Sequence, residues 1–351
     1  MKLLLNIIVF VVFIALAITG CGEKTLQETK VSASGFTTED WQSYQAVFIT
    51  QEGRVVDTGN QDISHSEGQG YAMLLAWAAR DLATFEQLWQ WTQQHLQRDD
   101  GLFGWQWLPD TLQERDRDWN NATDGDLLIA WALAEAGHYW EREDWLQTAR
   151  HIAERLRATL IRDSSMGPML IPAQTGFEFE EYMVLNPSYW VFPAFPALHA
   201  IDPDPVWGDL TQSGLRLLNR VRYGPDGVPP DWVAMHAEGF LSLGSLDAKQ
   251  RRFGFEALRV PLYICWAELS SPHLMQAFVQ AWPDDQAPAW LDLVTQDRAA
   301  YALTLSQRAM RPLLTECGRT MPFTVDLDPD DYYGSTLSLL AAWVRQQRKQ
   351  P

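Results

Sequence analysis

Apolar residues fall on helical spacing along most of this chain, and that periodicity limits the fold more than any other feature. Phe85, Leu88, Trp89, Thr92 and Leu96 follow the i, i+3, i+4, i+7 rule. Leu128, Ile129, Ala132, Leu133 and Ala136 repeat it, as do Trp145, Ala149, Ile152, Ala153, Leu156 and Leu160. A first helix is expected near Thr38, with Trp41, Tyr44 and Phe48 on one face, and a last one carries Leu337, Leu340, Ala341 and Val344. Others are expected near 69–82, 189–200, 206–221, 256–269, 272–282, 286–295 and 298–309. The tally is about twelve helices. Alternating strands are scarce. Connections such as Asp99-Asp100-Gly101 and Tyr223-Gly224-Pro225-Asp226-Gly227 carry turn chemistry. No linker divides residues 36–347, so one all-α domain is expected. Six helical hairpins could close into a ring, although periodicity does not distinguish a ring from a solenoid.

Apolar residues make up 46% of the chain, enough for a large core and too many for a disordered protein. The formal net charge of −18 repels phosphate backbones and argues against nucleic acid as a partner. There are 17 Trp residues, whose flat rings suit the apolar faces of sugars but also fill cores.

The N-terminus reads Met1-Lys2, an apolar run from Leu3 to Ile18, then Thr19-Gly20-Cys21. A positive charge, an apolar stretch and small residues describe a secretory signal. Ile18-Thr19-Gly20-Cys21 resembles a lipobox, so residues 1–21 are expected to direct export, with Cys21 lipidated as a membrane anchor. The alternative is an ordinary signal or a simple anchor. Residues 22–35 are polar and read as a flexible tether. Cys265 lies in the apolar run Leu262-Tyr263-Ile264-Cys265-Trp266, so it and Cys317 are expected to be buried free thiols. With no CxxC and no HExxH, neither a metal nor an organic cofactor is expected. A monomer is expected.

Three segments carry chemistry. In Ser64-His65-Ser66-Glu67-Gly68-Gln69-Gly70-Tyr71-Ala72-Met73, Glu67 opens an apolar helix. A carboxylate favoured by the helix dipole explains the Glu but not the two glycines beside it, which weaken a helix start and suggest close approach of a ligand. In Asn120-Asn121-Ala122-Thr123-Asp124-Gly125-Asp126, two carboxylates head another helix. Asp124 could be a simple N-cap, and calcium would need more oxygen ligands at regular spacing. In Arg252-Phe253-Gly254-Phe255-Glu256-Ala257-Leu258-Arg259-Val260-Pro261, Glu256 and Arg259 could form an ordinary i, i+3 ion pair, and Pro261 places a helix start nearby.

Together these segments resemble glycoside hydrolase family 8. The match includes Ala-Thr-Asp-Gly-Asp-x-x-Ile-Ala at 122–130 and Ser-Glu-Gly-Gln-Gly-Tyr-Ala-Met at 66–73. Asn186-Pro187-Ser188-Tyr189-Trp190 and Glu-Ala-x-Arg-Val-Pro at 256–261 are also similar to family patterns. The resemblance runs from about Trp41 to Trp343, and within the family it is to the periplasmic endoglucanases encoded beside bacterial cellulose synthase. It implies an (α/α)6 barrel and an inverting β-1,4-glucanase that needs no cofactor. Inversion uses an acid and a base about 6.5–9.5 Å apart, with a water between. By resemblance Glu67 is the acid, Asp124 binds and distorts the sugar, and Glu256 is the base. The family usually has Asp at the last position, so Asp231 and Asp247 are fallback bases. The resemblance further implies substrate contacts from Tyr189, Arg259, Asp126, Trp105, Trp107, Trp119, Trp190 and Trp232, with Tyr332 and Tyr333 as weaker candidates. Other readings are chitosan or xylan as substrate, or an inactive lipid-anchored carbohydrate-binding protein.

Overall fold

The computed structural model describes residues 36–109, 117–269, 271–315, 317 and 323–349. The expected signal, Cys21 and the tether lie outside the described residues. Two kinds of helix alternate along the chain. α2 (Ser66–Ala78), α4 (Thr123–Tyr139) and α8 (Arg259–Trp266) are buried almost all round. α3 (Leu82–His95), α5 (Glu143–Leu160) and α7 (Val206–Arg220) bury one stripe each. In α7 that stripe is Trp207, Leu210, Ser213, Gly214, Leu217 and Leu218. A helix apolar on every side must be enclosed, whereas a one-striped helix covers it from outside. α2 packs on α4 and on α11 (Tyr332–Lys349), and α4 packs on α5 and α6 (Ala194–Ile201). α8 packs on α11 and on α10 (Leu305–Met310). With α1 (Thr38–Phe48) and α9 (Pro272–Ala281), eleven α-helices occur among the described residues.

Glycines set how closely the inner helices approach. A Cβ on Gly70 would come within 2.6 Å of Leu128 Cβ, and one on Gly125 within 2.1 Å of Ser66 Oγ. One on Gly68 would meet the Tyr332 hydroxyl at 2.6 Å. The glycines around Glu67 therefore admit neighbouring helices and side chains, and close approach of a ligand is not needed to explain them.

Strands are short and join helices at their ends. β1 (Ser64–His65) pairs antiparallel with β2 (Gln106–Trp107), and β3 (Ile161–Arg162) with β4 (Met169–Leu170). β5 (Tyr182–Leu185), β6 (Val233–His236) and β7 (Leu241–Ser242) form a three-stranded antiparallel sheet. β8 (Arg252–Phe253) pairs with β9 (Leu291–Asp292).

Four expectations need correction. The segment 286–295 holds β9 and turns rather than a helix, because Pro288 lacks a donor and the Asp292 carboxylate captures the Val294 and Thr295 amides, both at 2.9 Å. The expected helix at 298–309 shrinks to α10, which begins at a Thr304–Gln307 capping box. The helix expected at 189–200 starts only at Ala194, after a single 3-10 turn at Pro187–Tyr189. Cys265 and Cys317 are not free thiols; they form a disulfide with Cα atoms 5.4 Å apart. Among the described residues, no helix is long and apolar enough to cross a membrane.

Candidate active site

α2, α4 and α8 begin beside one another, and each brings one charged side chain to the same place. Glu67 is the second residue of α2, Asp124 the second of α4, and Arg259 the first of α8. Glu256 sits on the turn that leads into α8. Helix starts favour nearby carboxylates through their free amides and dipoles. At α2 the N-cap is His65, whose Nδ1 accepts the Gly68 amide at 3.0 Å. The Ser66 amide donates to the Trp105 carbonyl at 3.1 Å, which ties the helix start to the chain entering β2. At α4 the N-cap residue is Ala122, and Asp124 instead accepts the Gly125 amide at 2.9 Å.

One guanidinium gathers the three carboxylates. Arg259 Nη1 contacts Glu67 and lies 3.2 Å from Asp124 Oδ2, while Nη2 contacts Glu256 and donates to Ser188 Oγ at 2.8 Å. Asn186 Nδ2 donates to Glu256 Oε2 at 3.1 Å. Exposure separates floor from walls: 2% of the Arg259 side chain and 3% of Asp124 are exposed, against 17% of Glu67 and 34% of Glu256. Asp124 and Arg259 are thus the buried floor of the cluster, and Glu67 and Glu256 its partly exposed walls, as a cleft for substrate would need. Tyr189 lies beside the floor, its ring centroid 5.6 Å from the Arg259 guanidinium carbon. The bonded hydroxyls of Tyr71 and Tyr263 lie buried in the same neighbourhood.

Burial, then the negative charges of Glu256 and Asp126, push the Asp124 carboxyl well above its ordinary value, against the Gly125 amide. Burial also raises Glu256, while the Asn186 hydrogen bond pulls it down. Three carboxylates against one arginine leave excess negative charge in a poorly solvated place, which favours a proton on at least one of them.

The other expected contacts divide. Trp232 tilts against Tyr189 with centroids 5.8 Å apart and stacks on Phe177 at 5.5 Å, a partner not anticipated from sequence. Trp105 is half-buried and donates to Asp118 Oδ2 at 2.7 Å. Arg54 covers Trp107 at 4.9 Å, and Arg117 covers Trp119 at 4.0 Å. Trp190 is a correction: it is 1% exposed, with its indole N–H bonded to the Leu210 carbonyl, and it fills the core. Asp126 is also not brought to the cleft. It is fully buried, and its oxygens accept the Phe103 amide at 2.9 Å and the Asn121 side chain at 2.8 Å. It braces the loop before β2. Tyr332 is a core residue, edge-on to Phe48 and His65, whereas Tyr333 donates to the Phe255 carbonyl at 3.0 Å, next to Glu256. Of the fallback bases, Asp247 caps an exposed surface turn, and Asp231 is buried behind the Glu256 turn. Ser188 and Asn186, which hold Arg259 and Glu256, lie inside a segment that attracted notice chiefly for Tyr189.

The sequence model described as glycosyl hydrolases family 8 matches residues 24–347. The chain belongs to glycosyl hydrolase family 8. A probable endoglucanase of Novacetimonas hansenii is 38% identical over 316 residues, covering 88% of this chain and 91% of that protein. The endo-β-1,4-glucanase CMCax from Acetobacter xylinum superposes with a TM-score of 0.80 at 38% identity, covering 88% of this chain and 97% of that one. The family 8 endoglucanase Cel10 of Klebsiella pneumoniae gives 0.82 at 34% identity, over 89% and 100%. The ring of buried and one-striped helices is the (α/α)6 barrel of this glycosyl hydrolase family, with the carboxylates at the end where its inner helices start.

Proposed function

We propose that this protein is an inverting endo-β-1,4-glucanase. The observation that carries this reading is the convergence of Glu67, Asp124 and Glu256 on Arg259 in a cleft open at its two carboxylate walls. Hydrolysis with inversion needs an acid on the leaving oxygen and a base on a water at the opposite face of the sugar. Glu67 is the acid and Glu256 the base, a pairing that requires about 6.5–9.5 Å between their carboxyls so that a water fits. Asp124, deep in the floor, binds and distorts the sugar at the cleavage point. Asn186 and Arg259 keep the Glu256 carboxylate ready to accept a proton. Tyr189 and the Trp232–Phe177 stack supply hydroxyl and ring contacts to the glucan. The same reading makes the protein an exported lipoprotein anchored through Cys21, acting with a cellulose-synthesising system. The Cys265–Cys317 bridge supports export, since disulfides persist in oxidising compartments.

The test is reducing-sugar release from carboxymethylcellulose, lichenan, xylan and chitosan by the wild type and Glu67→Gln. The β-1,4-glucans should be cut fastest, and Glu67→Gln should lose about 100-fold or more in rate while folding normally. Preference for chitosan or xylan would reassign the substrate, and near-normal turnover by the variant would remove Glu67 from the acid role.

A further inference from the structure

Asp231 lies just ahead of β6 and is buried. Its Oδ1 accepts three backbone amides: Gly254 at 3.0 Å, Glu256 at 3.2 Å and Ala257 at 2.9 Å. These residues form the turn between β8 and α8, and the Arg259 amide closes on the Glu256 carbonyl at 3.2 Å. Buried amides without partners are costly, so one carboxylate oxygen that satisfies three of them determines the turn's backbone. The Asp231 amide in turn donates to the Arg252 carbonyl, which fastens the aspartate to the strand entering the turn. Gly254 completes the fit, since a Cβ there would stand 3.0 Å from Asp231 Oδ2.

We propose that Asp231 is a positioning residue whose carboxyl group fixes the 254–257 turn so that the Glu256 side chain reaches the water site opposite Glu67. The proposal rests on the reading of Glu256 as base. Asp231 is a poorer candidate for the base than Glu256, because it is buried and its Oδ1 already holds three turn amides. What it sets is where Glu256 leaves the backbone. That position decides whether a glutamate can work where the family usually has an aspartate.

The experiment compares kcat and KM on carboxymethylcellulose for full-length Asp231→Ala, Asp231→Asn, Glu256→Ala and the Asp231→Ala/Glu256→Ala double variant. Asp231→Ala should lower kcat about 100-fold, the scale of a misplaced reacting group, with KM changed by no more than about twofold. Asp231→Asn keeps an acceptor oxygen and should stay within about fivefold of wild type. The double variant should be no slower than Glu256→Ala, because a residue acting through another adds nothing once that other is gone. Should the alanine variant not fold, Asp231→Ser, with a shorter acceptor, carries the same comparison. An inactive Glu256→Ala beside a fully active Asp231→Ala overturns the proposal and leaves the base reading intact. So does a double variant whose loss is the product of the two single losses. Asp231→Asn as inactive as Glu256→Ala would make Asp231 a reacting group. A fully active Glu256→Ala would remove the base reading itself.

Discussion

Glu256 carries the sharpest chemical demands in the cleft. As the proposed base it must be ionised to take a proton from water, and its environment pulls both ways. Burial raises its pKa above the ordinary glutamate value of 4.5, while Asn186 and Arg259 favour the charged form. A raised pKa makes a carboxylate a better base near neutral pH but costs activity in acid, where the base is protonated. The kcat/KM profile should therefore fall on its acid side with a midpoint above 4.5. A profile that stays flat to below that value would mean that the base is a group whose pKa burial does not raise. Asp126 and Trp190 show the limit of reading single residues. Both stand inside family segments, yet each is fully engaged in packing. A motif identifies a neighbourhood, and only tertiary contacts decide which of its side chains face the cleft.

At the scale of elements, the helix starts matter most. α8 carries Arg259 at its first turn and Cys265 near its last, and the bridge to Cys317 closes a separation of 52 residues. Closing a loop of that length removes about 4 kcal/mol of unfolded-chain entropy by the usual polymer model. Cys317→Ser should lower stability by about 2–4 kcal/mol in denaturant melts. Melts that coincide with wild type under non-reducing conditions would show that the bridge contributes nothing. The bridge could not be read from sequence, because Cys265 sits in an apolar run that a buried thiol would suit equally well. The long amphipathic helices α3, α5 and α7 were legible, since each buries the stripe its periodicity marks. The site segments were legible too, because Glu67, Asp124 and Arg259 lie at helix starts, and Glu256 on the turn before one, all with distinctive neighbours. What escaped was one local turn, Asp292 drawing 286–295 away from helix, and two contacts between residues far apart in sequence, Phe177 stacking on Trp232 and Asp231 holding the Glu256 turn.

The whole molecule stores part of its charge as buried acid. Burial raises Asp126 to about 7 and Asp231 to about 8, from an ordinary 3.8. In Asp231 the charge of Glu256 adds to the rise. A carboxyl with a raised folded-state pKa binds its proton more tightly in the folded chain. Its contribution to stability is complete below the ordinary value and is lost as pH climbs through the folded one. Thermal stability should fall between about pH 4 and pH 8, and Asp231→Asn should flatten that slope. A midpoint that rises across this window would contradict the burial assigned to these groups. Substrate and stereochemical course can be read together in one measurement. NMR of a soluble cellooligosaccharide during the first turnovers reports the configuration of the newly formed reducing end before mutarotation. A water activated by Glu256 on the face opposite Glu67 must give the α-anomer first. Initial release of the β-anomer would require a covalent or same-face route and would contradict the acid–base pair assigned here, and an intact oligosaccharide would contradict the glucanase reading.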